Sequence, residues 1–544
     1  MIAFAELLER LTFTPSRNAR IALLARYFAT TPDPDRGLGL AAIAGQLRFV
    51  AAKSGLIRGL AVARMDPVLF EMSYDYVGDL AETVALMWPA SRTNAPAPML
   101  SEVVATLIGT PKSKLPEIVA GWLDGCTPSE RLALLKLITG ALRVGVSGRL
   151  ARVALAEFSD GAATVDELEE VWHGIAPPYL SLFAWLTGNG LRPDPNGAPV
   201  FRPPMLAHPL ELPDIAALNP ADWRAEWKWD GIRVQLVASP GGRRIFSRGA
   251  EDISDAFPEV LSALEFDAVL DGELLVVRDG TVAPFADLQR RLNRKVASPQ
   301  LQKSHAAGVR LYDMLFEDGE DLRALPFDVR RTRLEAWYER TRPALMQLSE
   351  LIPFDSFAAL HELRDGARAA AIEGLMLKRG DSPYVAGRVR GLWWKWKRNP
   401  LLIDAVLMYA QRGHGKRSGS FSDYTFGLWR DGELLPVGKA YFGFTDAELV
   451  FLDRWIRNHS IARFGPVQEV EKSLVFEVAF DAAQLSTRHK SGVALRFPRI
   501  ARIRTDKPAE EADQLDTLMA LVEDRQEGQG ALPPPKTEPL ESFT

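Results

Sequence analysis

One cysteine, Cys126, stands in a chain of 544 residues. A lone thiol excludes an internal disulfide and a cysteine-built zinc site, and it points to a cytoplasmic protein. Long apolar runs are missing too: no stretch approaches the roughly 20 residues that a membrane span needs. The opening segment, MIAFAELLERLTF, sets acidic residues inside its apolar pattern and lacks the basic, apolar, cleavage-site order of a secretion signal. There is no excess of positive charge either. A net charge of −5 excludes a uniformly basic nucleic-acid coat, so any such contact must be local. No internal repeat is visible. What the chain has is an ordinary globular balance, 47% hydrophobic and 25% charged. Its length is too great for one core and suggests about three domains.

From residue 1 to about 204, apolar residues recur at helical spacing, as in 5–11, 21–28, 132–142 and 165–172. Thr127-Pro128-Ser129-Glu130 predicts a helix start, with Thr127 as N-cap, Pro128 first in the helix and Glu130 closing a capping box. That helix should run to about Leu142. The string Arg143-Val144-Gly145-Val146-Ser147-Gly148-Arg149 carries two readings. Its glycines could let backbone N–H groups approach a phosphate, or it is a helix C-cap and tight turn. Residues 193–204, rich in Pro, Gly and Asn, read as a linker. Short β-type runs follow at 233–238, 244–246, 268–277, 309–316 and 374–378, interleaved with a few helices, and predict a mixed α+β domain ending near Arg398. Strand patterns at 404–409, 425–430 and 474–480 fit a small β-barrel of roughly 120 residues. Residues 526–544, with GQGALPPPK, are expected to be disordered.

The chemistry gathers around Lys228-Trp229-Asp230-Gly231-Ile232-Arg233. Asp-Gly is a turn signal, so Lys228 should lie at the mouth of a sheet, and apolar rings on both sides can desolvate it into a usable amine nucleophile. A surface lysine before a hairpin turn is the plainer alternative. About twenty residues on, Phe246-Ser247-Arg248-Gly249 places an arginine just after a strand. Val269-Leu270-Asp271-Gly272-Glu273-Leu274 embeds two carboxylates in an apolar strand, where each needs an arginine or a hard metal ion; a turn at Asp271-Gly272 would leave Glu273 unexplained. Leu311-Tyr312-Asp313 offers an aromatic in a strand. Glu373 and Lys378 stand at opposite ends of another. Trp393-Trp394-Lys395-Trp396-Lys397-Arg398 points two lysines to one side, a poor arrangement unless they share an anion.

Taken in order, these strings resemble those of the covalent nucleotidyltransferases, and more closely of the ATP-dependent DNA ligases. Residues 491–507 resemble that family's C-terminal motif. Gln411-Arg412-Gly413-His414-Gly415-Lys416-Arg417-Ser418-Gly419 resembles the glycine-rich basic loop of its barrel domain. The resemblance covers about 205–515. It implies an α+β nucleotidyltransferase or adenylation domain (205–399) and a C-terminal β-barrel OB-fold (400–522); the all-α N-terminal part (1–204) is similar in kind to the family's DNA-binding domain, and composition leaves 523–544 as a disordered tail. ATP is the implied substrate and Mg2+ the implied metal; the implied partner is nicked double-stranded DNA, with no membrane.

The resemblance also gives each residue a task. Lys228 would attack the α-phosphorus of ATP. Glu226 would bond the adenine, Tyr312 would stack on it, and Arg233 and Arg248 would contact ribose and phosphate. Glu273 would hold the ribose or a metal, Glu373 a divalent cation, and Lys395 and Lys397 the α-phosphate. Arg388 and Arg390 compete for one further nucleotide contact. Arg499, Arg502 and Lys507 would orient the pyrophosphate. RNA ligases and RNA-capping guanylyltransferases share the lysine motif, but the long helical first third favours duplex DNA. NAD-dependent ligases carry a four-cysteine zinc site that one cysteine cannot build.

Positive charge is indeed local. Residues 378–417 carry ten Lys and Arg against two acids, Asp381 and Asp404, which suits a phosphate-backbone surface. His414 and His489 lie in basic loops and read as phosphate contacts or surface residues rather than metal ligands.

Overall fold

The computed structural model describes residues 1–527 except 48, 90–96, 141, 143, 196, 279–280, 293–295, 368–370, 413–420 and 487–488. The loop at Gly413–Gly419, with His414, Lys416 and Arg417, therefore lies outside the described residues, as do Arg143 and residues 528–544. Among the described residues no helix is long and apolar enough to cross a membrane.

Between Ile2 and Leu186 the described residues form twelve helices and no strand. One apolar core, from Phe4 and Leu11 through Leu134 to Phe183, runs through all of this region. Its local signals act as the sequence suggests. Thr127 Oγ1 accepts from the Glu130 amide, and Glu130 Oε2 accepts from the Thr127 amide at 2.8 Å, starting the helix Pro128–Thr139. That helix ends three residues short of Leu142, because Gly140 takes a left-handed φ of 70° and closes its last turn. Of the two readings of the 143–149 string, the described part forms the turn. Gly145 has a φ of 68°, its carbonyl accepts from Arg20, and Ser147 caps the helix Gly148–Phe158.

The middle of the chain builds two sheets from strands β1 (His208–Pro209), β2 (Trp223–Trp229), β3 (Ile232–Ser239), β4 (Gly242–Ser247), β5 (Ala268–Arg278), β6 (Thr281–Val282), β7 (Ala307–Glu317), β8 (Glu320–Asp321), β9 (Met346–Leu348), β10 (Leu351–Ile352), β11 (Ile372–Arg379) and β12 (Trp393–Lys397). One sheet has the order β1-β12-β11-β2-β10; the other runs β4-β3-β5-β7-β8, with β6 on β5 and β9 on β7. Asp230-Gly231 is not a hairpin turn. It passes the chain from the first sheet to the second, since β2 and β3 share no hydrogen-bond ladder. A Cβ on Gly231 would lie 2.5 Å from the Leu274 carbonyl oxygen, so only glycine allows the passage. Asp271-Gly272 is likewise no turn but the middle of β5.

The last third contains β13 (Leu401–Arg412), β14 (Phe421–Arg430), β15 (Glu433–Ala440), β16 (Ser460–Phe464), β17 (Val467–Val470), β18 (Val475–Phe480), β19 (Ala482–Leu485), β20 (Val493–Arg496) and β21 (Arg499–Arg504). β13 is long enough to pair with β14 along one edge and with both β17 and β18 along the other. Its sheet encloses Leu407, Phe426 and Phe476 against the helices Asp446–Asn458 and Leu515–Glu527. β19 and β20 form a separate ribbon.

The helix Phe327–Thr341 is pinned to β7 by Arg330 and Asp313, both fully buried, with Nε–Oδ1 at 2.8 Å and Nη2–Oδ2 at 2.9 Å. Removing one partner strands the other charge. Arg330→Met should lower the unfolding free energy by about 3–5 kcal/mol in urea titration.

Candidate active site

Ladder partners share a face of a sheet. Glu226 pairs with Met376, Lys228 with Gly374, Met376 with Lys395 and Gly374 with Lys397. Glu226, Lys228, Met376, Lys395 and Lys397 therefore project from one side of the first sheet. Strict alternation would turn Glu373 away, but the β11–β2 register slips between Ile372 and Gly374. The extra residue is Glu373, and the bulge lets its carboxylate reach Lys228.

The opposite wall comes from the second sheet: Arg233 on β3 faces Glu273 on β5, and Tyr312 comes from β7. Tyr312 is again the extra residue of a bulge, because Asp271 pairs with Asp313 and Gly272 with Leu311. A Cβ on Gly272 would lie 2.6 Å from Val309 Cγ1, so glycine lets β5 and β7 close up there. Between the walls is a cavity of about 360 Å³. Its lining includes Glu226, Lys228, Arg233, Arg248, Glu273, Tyr312, Glu373, Arg388 and Lys395.

The charges fall into two groups. At one end each is paired. Glu226, 2% exposed, meets Lys378 at 2.9 Å and Arg331 at 3.4 Å. Arg233 bonds Asp271 at 2.7 Å, the Met205 carbonyl at 2.6 Å and the Tyr384 hydroxyl at 3.0 Å. At the other end, the side chains of Arg248, Arg388 and Lys395 make no hydrogen bond or ion pair among the described residues. Burial lowers the affinity of Arg248 and Lys395 for their protons. Arg233 and Arg388 add to this at Arg248; Arg388, Lys397 and Lys228 add to it at Lys395. Such a cluster calls for an anion.

The acids beside Lys228 differ from one another. Burial alone would raise the Glu373 carboxyl, but Lys228, by charge and hydrogen bond, and then Lys397 at 3.4 Å hold it down at about 2. Glu273 has no hydrogen-bond partner among the described residues. Burial pushes it up to about 8, against the pull of Lys228 and Arg233. Asp230 is gripped by Arg496, whose Nη2 lies 2.9 Å from Oδ1.

Arg388 lines the cavity and Arg390 does not. Arg390 points outward to Asp214 at 3.0 Å. Lys397 sits at the rim between Glu373 and Asp481, the latter at 3.7 Å. The structure does not bring Arg499, Arg502 and Lys507 into the cavity. They pair with Asp481 at 3.0 Å, Glu477 at 3.8 Å and Asp404 at 2.8 Å, within the last third of the chain. The residue from that region that does reach the site is Arg496, which sequence reasoning missed; its neighbour Phe497 has a φ of 51° and is 58% exposed. Only its place inside the 491–507 motif could have drawn attention to it. Lys378, counted in the 378–417 run as part of a phosphate-backbone surface, is instead buried at 1% exposure against Glu226. His489 is on an exposed loop. No group of three or more His, Cys, Asp or Glu forms a ready metal cage among the described residues.

Two family models match the chain: the ATP dependent DNA ligase domain over residues 204–397, and the ATP dependent DNA ligase C terminal region over 417–507. A probable DNA ligase of Koribacter versatilis is 32% identical over 565 positions, covering 95% of each chain. DNA ligase 1 of Korarchaeum cryptofilum is 32% identical over 73% of this chain and 72% of its own. Among solved structures, one described as Pmar-Lig_PreS3 aligns with 92% of this chain and 99% of its own at a TM-score of 0.53 and 16% identity, a likeness of fold.

The Glu273 carboxyl sets a pH dependence. Its folded value, about 8, lies above the ordinary carboxylate value, so the protonated group stabilises the fold; that contribution is complete below the ordinary range and is lost as pH rises through about 8. Metal- and nucleotide-free protein should lose thermal stability between about pH 5 and about pH 9, and Glu273→Gln should flatten that loss. Calorimetry at pH 9 should find the variant more stable by about 1–3 kcal/mol.

Proposed function

The chain belongs to the ATP-dependent DNA ligases, and from that premise we propose that it seals 5′-phosphate/3′-hydroxyl nicks in duplex DNA through a Lys228–AMP intermediate. The observation that carries this reading is a half-buried lysine, backed by a carboxylate, facing a cavity in which Arg248, Arg388 and Lys395 have no counter-anion among the described residues. The adenine lies against Tyr312 with its amino edge toward Glu226, and Arg233 and Arg248 take the ribose and phosphate side. Lys395, Lys397 and Arg388 neutralise the α-phosphate, so that the Lys228 amine attacks in line and pyrophosphate leaves. Glu373 accepts a hydrogen bond from Lys228 and so aims the amine, whose proton leaves to water before it attacks. AMP then passes to the 5′-phosphate of a nick, and the 3′-hydroxyl displaces it.

The donor set suits Mg2+. Glu273 has no hydrogen-bond partner among the described residues and lies close enough to Glu373 and Lys228 for their charges to act on it, and together these carboxylates give two hard oxygen ligands while leaving positions for water and phosphate. When bound, the ion supplies charge neutralisation at the phosphates.

We assign residues 1–204 to DNA binding, 205–399 to adenylation and 400–522 to an OB-fold-type barrel, although the helix Leu515–Glu527 runs past that boundary, so that 523 falls inside a helix and not at the start of a tail; the single cysteine supports a cytoplasmic location. Arg499, Arg502 and Lys507 orient the pyrophosphate once the last region turns to bring them over the cavity.

Incubation with α-labelled ATP and Mg2+ should leave a covalent label on Lys228, and Lys228→Ala should take none. GTP and NAD, run in parallel, should label poorly, and nicked DNA should be sealed faster than nicked RNA. A label that persists in Lys228→Ala would refute the assignment. Lys507→Ala should slow labelling at least about tenfold while leaving sealing by already adenylated protein nearly intact.

A further inference from the structure

Lys378 is 1% exposed and no step described above uses it. Its Nζ lies 4.5 Å from the centroid of Tyr312 and 4.8 Å from those of Phe327 and Trp393. The same ammonium donates to the Tyr312 carbonyl at 3.0 Å and sits 2.9 Å from Glu226 Oε2. One buried cation thus joins the ring and the carboxylate that flank the base end of the cavity. We infer that Lys378 is a positioning residue that sets nucleobase choice: it keeps Glu226 an acceptor, so that the cavity prefers a purine with an amino group at its six-position over one with a carbonyl oxygen there, and it pins Tyr312, which adds affinity for either base. The inference rests on the assignment of Glu226 and Tyr312 to the base.

Burying an ammonium is expensive unless it is fully engaged. Here one carboxylate, one carbonyl and three ring faces engage it. Its effect on Glu226 follows from elementary acid–base chemistry. Burial pushes that carboxyl upward, and the Lys378 charge is the largest influence against it, ahead of Arg331. An ionised carboxylate only accepts hydrogen bonds, so it binds an amino group and repels a carbonyl oxygen; a protonated one offers an O–H and reverses the preference. Two cations occupy part of the acceptor capacity of Glu226, and a carboxylate has about four acceptor sites, which leaves room for a base. The carbonyl bond to Tyr312 matters because that residue is the bulged one, without a ladder partner to fix its orientation.

The test compares Lys378→Met and Lys378→Arg in self-adenylation with ATP, GTP and the triphosphate of purine riboside, which lacks the amino group. For Lys378→Met, the KM for ATP should rise about 10–100-fold with a much smaller fall in kcat, and the ATP-over-GTP ratio of kcat/KM should drop at least about tenfold. Lys378→Arg, which keeps the charge, should restore most of that ratio. In a Glu226→Gln background, adding Lys378→Met should shift the ratio no further. If Lys378→Met does not fold, this double variant, which removes both charges, is compared with Glu226→Gln alone: an equal ratio supports the inference and a further shift overturns it. An unchanged ratio in folded Lys378→Met overturns it whether or not KM rises, because that result belongs to a packing role. If Glu226→Gln alone leaves the ratio untouched, the assignment of Glu226 to the base fails instead.

Discussion

Lys228 and Arg233 stand close in sequence yet belong to different sheets, and Asp230 and Gly231 make that possible. The strand that ends at Trp229 carries Glu226 and Lys228 on one wall of the cavity; the strand that begins at Ile232 carries Arg233 on the other. One short segment therefore sets the width of the site. The missing side chain at Gly231 lets the backbone pass against the Leu274 carbonyl, one residue beyond Glu273. A displacement there would separate the nucleophile from the charges opposite it, and catalysis of this kind depends on in-line placement within fractions of an ångström.

The cavity is graded in charge. At the base end every ionised group has a partner at hydrogen-bond distance and lies nearly out of water, as in Glu226–Lys378 and Arg233–Asp271. Such pairs add little net stability, but breaking one is costly, so they fix geometry rather than strengthen the fold. At the phosphate end Arg248, Arg388 and Lys395 have no anion among the described residues, while Glu273 is pushed up to about 8. Both features are unfavourable in the empty protein. Both would be relieved together by the proposed ligand, negative phosphates with a divalent ion, so that on this reading part of the binding free energy is prepared in the fold before any ligand arrives.

The sequence made much of this legible. Thr127-Pro128-Ser129-Glu130 specified a helix start because a capping box is a local interaction. The strands 233–238 and 309–316 are legible within two residues at each end because their runs of apolar residues pack into the core of the one sheet they share. What escaped was whatever depends on register. Alternation cannot see that Glu373 and Tyr312 are bulged, and those bulges aim both side chains at the cavity. Nor can a turn signal say whether the two strands it joins will pair, so Asp230-Gly231 reads as a hairpin while it bridges two sheets. Arg496 was invisible for a related reason: its partner Asp230 is 266 residues away, and an ion pair between distant regions leaves no local pattern.

The ion pairs that occupy the cations of the last third, and the Lys397–Asp481 pair that ties it to the middle of the chain, are of a different kind from those inside the cavity. Arg499–Asp481, Arg502–Glu477 and Lys397–Asp481 are part-exposed pairs at 3.0–3.8 Å, where a single ion pair contributes about 0–1 kcal/mol. The Arg496–Asp230 pair is more buried, and it is anchored on the segment that places Lys228. Weak pairs can be exchanged for phosphate oxygens at little cost, whereas the buried pairs cannot. The proposed swing of Arg499 and Arg502 toward the pyrophosphate fits this division: a rigid nucleotide cavity, and a covering region whose part-exposed pairs are cheap to exchange.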